Sequence, residues 1–279
     1  MAYKICAFAD EASNLLSGQI KTLNDRGISY IELRNLDGKN VAELSISEAK
    51  EIKSKFDANG ISVWSIGSRL GKIGVFDDFS AHYDELLHTI ELAKAFECDK
   101  IRMFSFYIPS EKSYSECKDE VMTRLAKMVE TARGSGVTLC HENEKGIYGD
   151  SADRCLEIAK AFPEIKLVFD PANFVQCGVD TLGAWEMLFS HVEYMHIKDS
   201  LADGRIVPAG HGIGNVGEIA KKYMALGKEV MTLEPHLTLF EGLASLEQRS
   251  IEKKDFPYEY PSAEAAFAAA HDALIELIK

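Results

Sequence analysis

A chain of 279 residues with 31 basic and 44 acidic side chains, a formal charge of −13, repels phosphate backbones and anionic lipid, so nucleic acid and membrane are not expected partners. A hydrophobic content of 46% with 27% charged residues describes a globular protein with a full core, and no stretch reads as a membrane span or a signal peptide. The expected location is the cytoplasm, where six scattered cysteines without a Cys-x-x-Cys pair stay reduced.

Strand-like and helix-like segments alternate from end to end. Tyr3 to Ala9 reads as a first strand closing on Asp10 and Glu11, followed by a helix from Leu16 to Asp25 that stops at Gly27. Ile28 to Arg34 is a second strand with Tyr30, Glu32 and Arg34 on one face, and the helix near Ser47 to Ala58 stops at Gly60. Ile61 to Ile66 runs into a glycine-bearing loop, Gly67 to Gly71. Asp78 to Phe96 is helical, Lys100 to Phe106 is the fourth strand, and Ser115 to Arg133 is helical again.

The next four strands are Val137 to Glu144, Lys166 to Asn173, Val192 to Asp199 and Val230 to His236. The helices among them are near Ser151 to Ala161, Leu182 to Ser190 and Val216 to Leu226. The last helix, Ala263 to Ile278, follows Pro261 and the N-cap Ser262. Eight strand–helix units with right-handed crossovers close into a (β/α)8 barrel, expected here as a single domain over residues 1–279. An open doubly wound sheet is the alternative, and no Gly-x-Gly-x-x-Gly after the first strand supports it. Two loops exceed what a barrel requires, Ser200 to Asn215 and Leu237 to Pro261.

A strand buried on both faces stays apolar to its end, yet these four change character at their C-termini, where α/β folds place ligands. They end at Glu142, Asp170, His196 and Glu234, with spacings that each fit one strand–helix unit. Three carboxylates and one imidazole suit Mn²⁺, Mg²⁺, Co²⁺ or Zn²⁺ in a site with open positions. Two adjacent oxygens of an α-hydroxycarbonyl sugar would fill those positions, and carboxylates on either side would remove and return the proton of an enediolate mechanism. Singly, each residue has a plainer reading: an acid after a strand caps a helix or starts a turn, and a histidine sits satisfied in a core. Four at successive strand ends favour the metal site.

On these residues the chain resembles the sugar phosphate isomerase/epimerase family of xylose isomerase-like barrels, the group that holds ketose 3-epimerases, hydroxypyruvate isomerase and inosose dehydratase. The resemblance implies one divalent metal on Glu142 (His-Glu-Asn), Asp170 (Phe-Asp-Pro-Ala-Asn), His196 (His-Ile-Lys-Asp) and Glu234 (Leu-Glu-Pro-His). It also implies that the two glutamates serve as acid and base, and that Arg205, ahead of the glycines to Gly214, helps hold the metal-bound substrate. The chain departs from many relatives in having Asn173 three residues after the aspartate and Glu144 in place of a histidine.

Asn173, Lys145, Lys198 and His236 are further candidates for contact with a substrate hydroxyl or phosphate, or for orienting the ligands. Glu32, Arg34 and Arg102 read as a buried Glu–Arg pair inside the barrel, and Trp64 and Phe104 as core or pocket wall. The expected function is a metal-dependent isomerase or epimerase of a small ketose, sugar phosphate or polyol. A metal-dependent inosose-type dehydratase and a non-catalytic sugar-binding barrel are the alternatives. An abasic-site endonuclease on this barrel needs several zinc ions and a basic groove, which eight histidines and a charge of −13 disfavour. A homodimer or homotetramer through the long final loops fits the pattern.

Overall fold

The structure is a computed structural model that describes residues 3–241, Leu243 and residues 256–279; most of the expected long loop from Leu237 to Pro261 thus lies outside the described residues. Eight short runs rich in β-branched and apolar residues form the barrel strands: β1 (Lys4–Ala7), β2 (Tyr30–Leu33), β3 (Ser62–Gly67), β4 (Lys100–Met103), β5 (Thr138–Glu142), β6 (Lys166–Phe169), β7 (Val192–Ile197) and β8 (Val230–Leu233). All neighbouring pairs are parallel, and β1 pairs with both β8 and β2 to close the barrel. Every residue of β4 and β8 is buried, as expected of strands covered on one side by helices and on the other by the barrel interior.

Among the described residues the α-helices are α1 (Leu16–Asp25), α2 (Ile46–Ala58), α3 (Ser80–Ala95), α4 (Tyr114–Ala132), α5 (Ala152–Ala161), α6 (Pro171–Gln176), α7 (Thr181–Leu188), α8 (Val216–Ala225) and α9 (Ala263–Ile278). Several start at side-chain caps. Ser45 with Glu48 and Ser113 with Glu116 form capping boxes on α2 and α4, and Ser262 caps α9 as expected. Gly27 and Gly60 take left-handed φ values of 64° and 68° after α1 and α2, a conformation that costs other residues a Cβ clash.

The sequence overextends several strands. β6 ends at Phe169 because Pro171 opens α6, a helix the periodicity does not reveal, and Asp170 is its N-cap, accepting the Asn173 N–H at 3.0 Å. β7 ends at Ile197, and Asp199–Ser200 instead pairs with Ile206–Val207 in a small hairpin. The Asp199 carboxylate accepts N–H groups from Ser200, Gly210, Gly212 and Gly214 at 2.8 to 3.1 Å, which folds the glycine-rich loop over the strand end. A Cβ at Gly212 would lie 2.4 Å from Asp199 Oδ1, so only glycine permits this approach.

The six cysteines are free thiols, and no helix among the described residues is long and apolar enough to cross a membrane. The loop after β3 is tied to α3 by the Gly71 N–H donating to His82 Nε2 at 2.7 Å. Burial, with Arg124 and Arg69 nearby, pushes the His82 imidazole down to about 4. The folded state therefore needs neutral His82, while the unfolded chain protonates it near the ordinary histidine value. Thermal melts should lose stability as pH falls from roughly 6.5 toward 4, and His82→Gln should show a shallower loss. Equal pH dependence in the two proteins would contradict this.

Candidate metal centre

The parallel closed barrel brings the C-termini of all strands to one rim, so the last residues of β5 to β8 converge. One donor atom from each of Glu142, Asp170, His196 and Glu234 lies within 4.8 Å of the others, and all four residues are buried. His196 Nδ1 faces the cluster, 3.0 Å from Glu142 Oε1 and 3.3 Å from Glu234 Oε2. Its Nε2 points the other way, 3.2 Å from Glu32 Oε2, and Glu32 Oε1 accepts from the Tyr194 hydroxyl at 2.8 Å. A divalent ion at the cluster would displace the Nδ1 proton, and Glu32 would keep the proton on Nε2, which leaves Nδ1 as a lone-pair donor. Glu32→Gln should therefore weaken divalent-metal affinity by about 10–100-fold, read by titration with Mn²⁺; unchanged affinity would show that Glu32 does not orient the imidazole.

The charges around the cluster do not balance. The carboxylates of Asp10, Glu11, Glu32, Glu142, Asp170 and Glu234 are all buried, against the guanidiniums of Arg34 and Arg102 and the Lys198 ammonium. Arg34 takes both oxygens of Asp10 at 2.8 and 3.0 Å, Glu11 at 3.1 Å and Glu234 at 3.2 Å. Arg102 donates to Glu142 Oε2 at 2.8 Å. Lys198 Nζ bridges Asp170 at 2.9 Å and Glu234 at 2.8 Å.

The titration behaviour reflects this surplus of acid. Burial pushes the Asp170 carboxyl up to about 7 against Lys198, with Glu142 and Glu234 adding to the rise. Burial pushes Glu11 up to about 8 against Arg34. Burial would also raise Glu142 and Glu234, but His196 and Arg102 hold the first below its ordinary value, and Lys198, His236 and His196 the second. Burial opposes protonation of His196, yet Glu142, Glu32 and Glu234 hold it well above the usual imidazole value. Protons held by Glu11, Asp170 and His196 offset this excess of carboxyl groups, and a divalent ion among the four donors would displace those on Asp170 and His196.

The structure brings together seven of the residues singled out above. Besides the four donors and Lys198, Asn173 Nδ2 donates to Glu142 Oε1 at 3.2 Å, and the ring of His236 lies 3.5 Å from Glu234. His236 holds a left-handed φ of 48°, and its N–H donates to Glu11 Oε2 at 2.6 Å, so a strained backbone presents an N–H to the acid beside Glu234. Lys145 stays at the rim, where Nζ donates to Gln176 at 3.1 Å. Arg205 is not brought to the cluster: the hairpin turns its half-exposed guanidinium onto Asp203 at 2.8 Å, away from the ligand set.

The expected Glu32–Arg pair inside the barrel is also corrected. Arg34 and Arg102 hold Glu234 and Glu142, and Glu32 serves His196. Sequence reasoning missed these roles, and with them Asp10 and Glu11. The signal was available, since β1, β2 and β4 carry charged residues at or beside their C-terminal ends just as β5 to β8 do.

A sequence profile described as xylose isomerase-like TIM barrel matches residues 20–249. Nothing among curated proteins matches the sequence. The structure is similar to an L-ribulose 3-epimerase, with a TM-score of 0.76, 20% identity and 100% of this chain covering 95% of that one. It is similar to a probable 3-DHS dehydratase, AsbF, from Bacillus anthracis, with a TM-score of 0.75, 18% identity and 99% of each chain covered. It is also similar to the IOLI protein with a bound zinc atom, with a TM-score of 0.73, 17% identity and 99% and 98% covered. With the profile spanning most of the sequence and the eight parallel strands closed into one barrel, the chain belongs to the xylose isomerase-like TIM barrel family.

Proposed function

We propose that this chain is a divalent-metal-dependent isomerase or epimerase acting on a small ketose, sugar phosphate or polyol, with Glu142 and Glu234 exchanging the proton next to the carbonyl. The observation that carries this reading is the buried donor set of Glu142, Asp170, His196 and Glu234, with atoms within 4.8 Å of one another. Three carboxylates and an inward-facing imidazole nitrogen, in a centre where carboxyl groups outnumber the fixed cations, fit Mn²⁺, Mg²⁺, Co²⁺ or Zn²⁺. Bound there, such an ion supplies Lewis-acid polarisation of a carbonyl and its neighbouring oxygen.

The remaining work falls to side chains. Glu142 and Glu234 are held ionised and so are ready to accept a proton at neutral pH. Each is fixed by a guanidinium on one oxygen, Arg102 on Glu142 Oε2 and Arg34 on Glu234 Oε1, which sets the direction of the other oxygen. They stand on β5 and β8, separated around the barrel by β6 and β7, so a substrate between them meets one carboxylate on each side. One ionised glutamate takes the proton from carbon; the other, carrying a proton drawn from water, gives it to the opposite side and is left ionised, and exchange with water resets the pair. Lys198, bridging Asp170 and Glu234, donates to the substrate oxygen that gains negative charge.

Incubation of Mn²⁺-loaded protein with ketoses and inososes in deuterated water tests this. Deuterium at the carbon next to the carbonyl, with formation of an isomer or epimer, supports the reading. Loss of water from an inosose would make the chain a dehydratase. Tight sugar binding without exchange on any substrate would favour a binding protein.

A further inference from the structure

We propose that the substrate carries an anionic group, a carboxylate or a phosphate, and that the barrel mouth between β2 and β4 receives it on Lys72, Arg69 and Nε of Arg102. This deepens the reading above and rests on it, because the cavity shares Arg34 and Arg102 with the two glutamates. The cavity holds about 350 Å³, at the lower end for a small-molecule site and enough for a sugar of five or six carbons. Its wall carries the basic groups of Arg34, Lys39, Arg69, Lys72 and Arg102 against the acids Asp10, Glu43 and Glu241. Arg34, Lys39, Lys72 and Arg102 are each paired with a carboxylate, which leaves Arg69 and Nε of Arg102 as the donors without a close acid.

The individual groups point the same way. Arg102 is 3% exposed; one terminal nitrogen donates to Glu142 and the other to the Ser68 carbonyl, while its buried Nε has no partner. An N–H can only donate, so what completes it is an acceptor. Lys72 Nζ and the Arg102 guanidinium pack on the same ring, 4.3 and 4.8 Å from the centroid of Phe104, which lines the cavity. Lys72 is bound by Glu144 at 3.2 Å. The nitrogens of Arg69 lie 3.6 Å from Glu43 and Glu85, beyond hydrogen-bond length, and its side chain is half exposed. Arg69 is thus a cation at the mouth with only loose partners, able to swing onto an incoming anion. A carboxylate or phosphate accepts from Arg69, Lys72 and Nε of Arg102 together, which a single hydroxyl group cannot do.

The test is calorimetric titration of the Mn²⁺-loaded protein with D-fructose, D-fructuronate and D-fructose 6-phosphate at fixed salt, repeated with Lys72→Met and Arg69→Met. One of the two anions should bind about tenfold or more tightly than the neutral ketose, and which one does so distinguishes carboxylate from phosphate. That preference should fall below about twofold in at least one variant. Equal binding of all three ligands, or a preference unchanged in both variants, would overturn the proposal. Repeating the titration on metal-free protein separates the two readings, since an anion preference in a chain that binds no metal would leave this inference standing and remove the metal-dependent function.

Discussion

At Mn²⁺ concentrations that keep the centre loaded, Glu234→Gln and Glu142→Gln are each expected to lower α-proton exchange by about 10²–10⁴-fold, the usual contribution of a positioned general base. The substitution keeps the shape of the side chain and removes the charge that accepts the proton. If Glu142 and Glu234 work on opposite sides of the substrate, each variant should lose kcat while KM changes less, because the lost interaction belongs to the transition state. In an epimerase the glutamate that removes the proton in one direction returns it in the other, so each variant should slow the forward and reverse reactions together. A rate within about twofold of wild type in either variant, with metal content preserved, would exclude that glutamate from proton transfer.

Arg34→Met should destabilise the protein by about 3–5 kcal/mol, the cost of breaking a buried ion pair by removing one partner. Arg34 sits on Asp10, Glu11 and Glu234 at once, and its guanidinium packs 4.3 Å from the centroid of Phe8. Without it three buried carboxylates lose their shared cation. Denaturant unfolding should show a lowered midpoint with an unchanged slope. Arg69→Met, at an exposed position with loose partners, should stay within about 0.5 kcal/mol of wild type. Comparable stability in both variants would contradict this.

The barrel was legible because its strands and helices are cleanly punctuated: α1 and α9 fall at the boundaries the sequence indicates, and Gly27 and Gly60 end helices as read. The four convergent residues were legible because each breaks an apolar strand at its end. α6 was not, since a six-residue helix opened by Asp170 and Pro171 looks in sequence like the turn that an Asp-Pro pair also makes. Arg34 and Arg102 were misread for a different reason. Period-2 alternation shows that Glu32 and Arg34 share a face, yet it cannot show that Arg34, one residue past β2, reaches Glu234 while Glu32 reaches His196. Those contacts run across the closed barrel between strands distant in sequence. Arg205 shows the converse limit, because the position of a residue in a loop depends on the hairpin that loop forms, here set by Asp199 and the glycines around it.

The most direct measurement is the metal content of the protein by elemental analysis, purified without chelator, for wild type and Glu234→Gln. The four-residue centre predicts one Mn, Mg, Co or Zn per chain in wild type and a sharp drop in the variant. No metal in either protein, even after each ion is added, would contradict it.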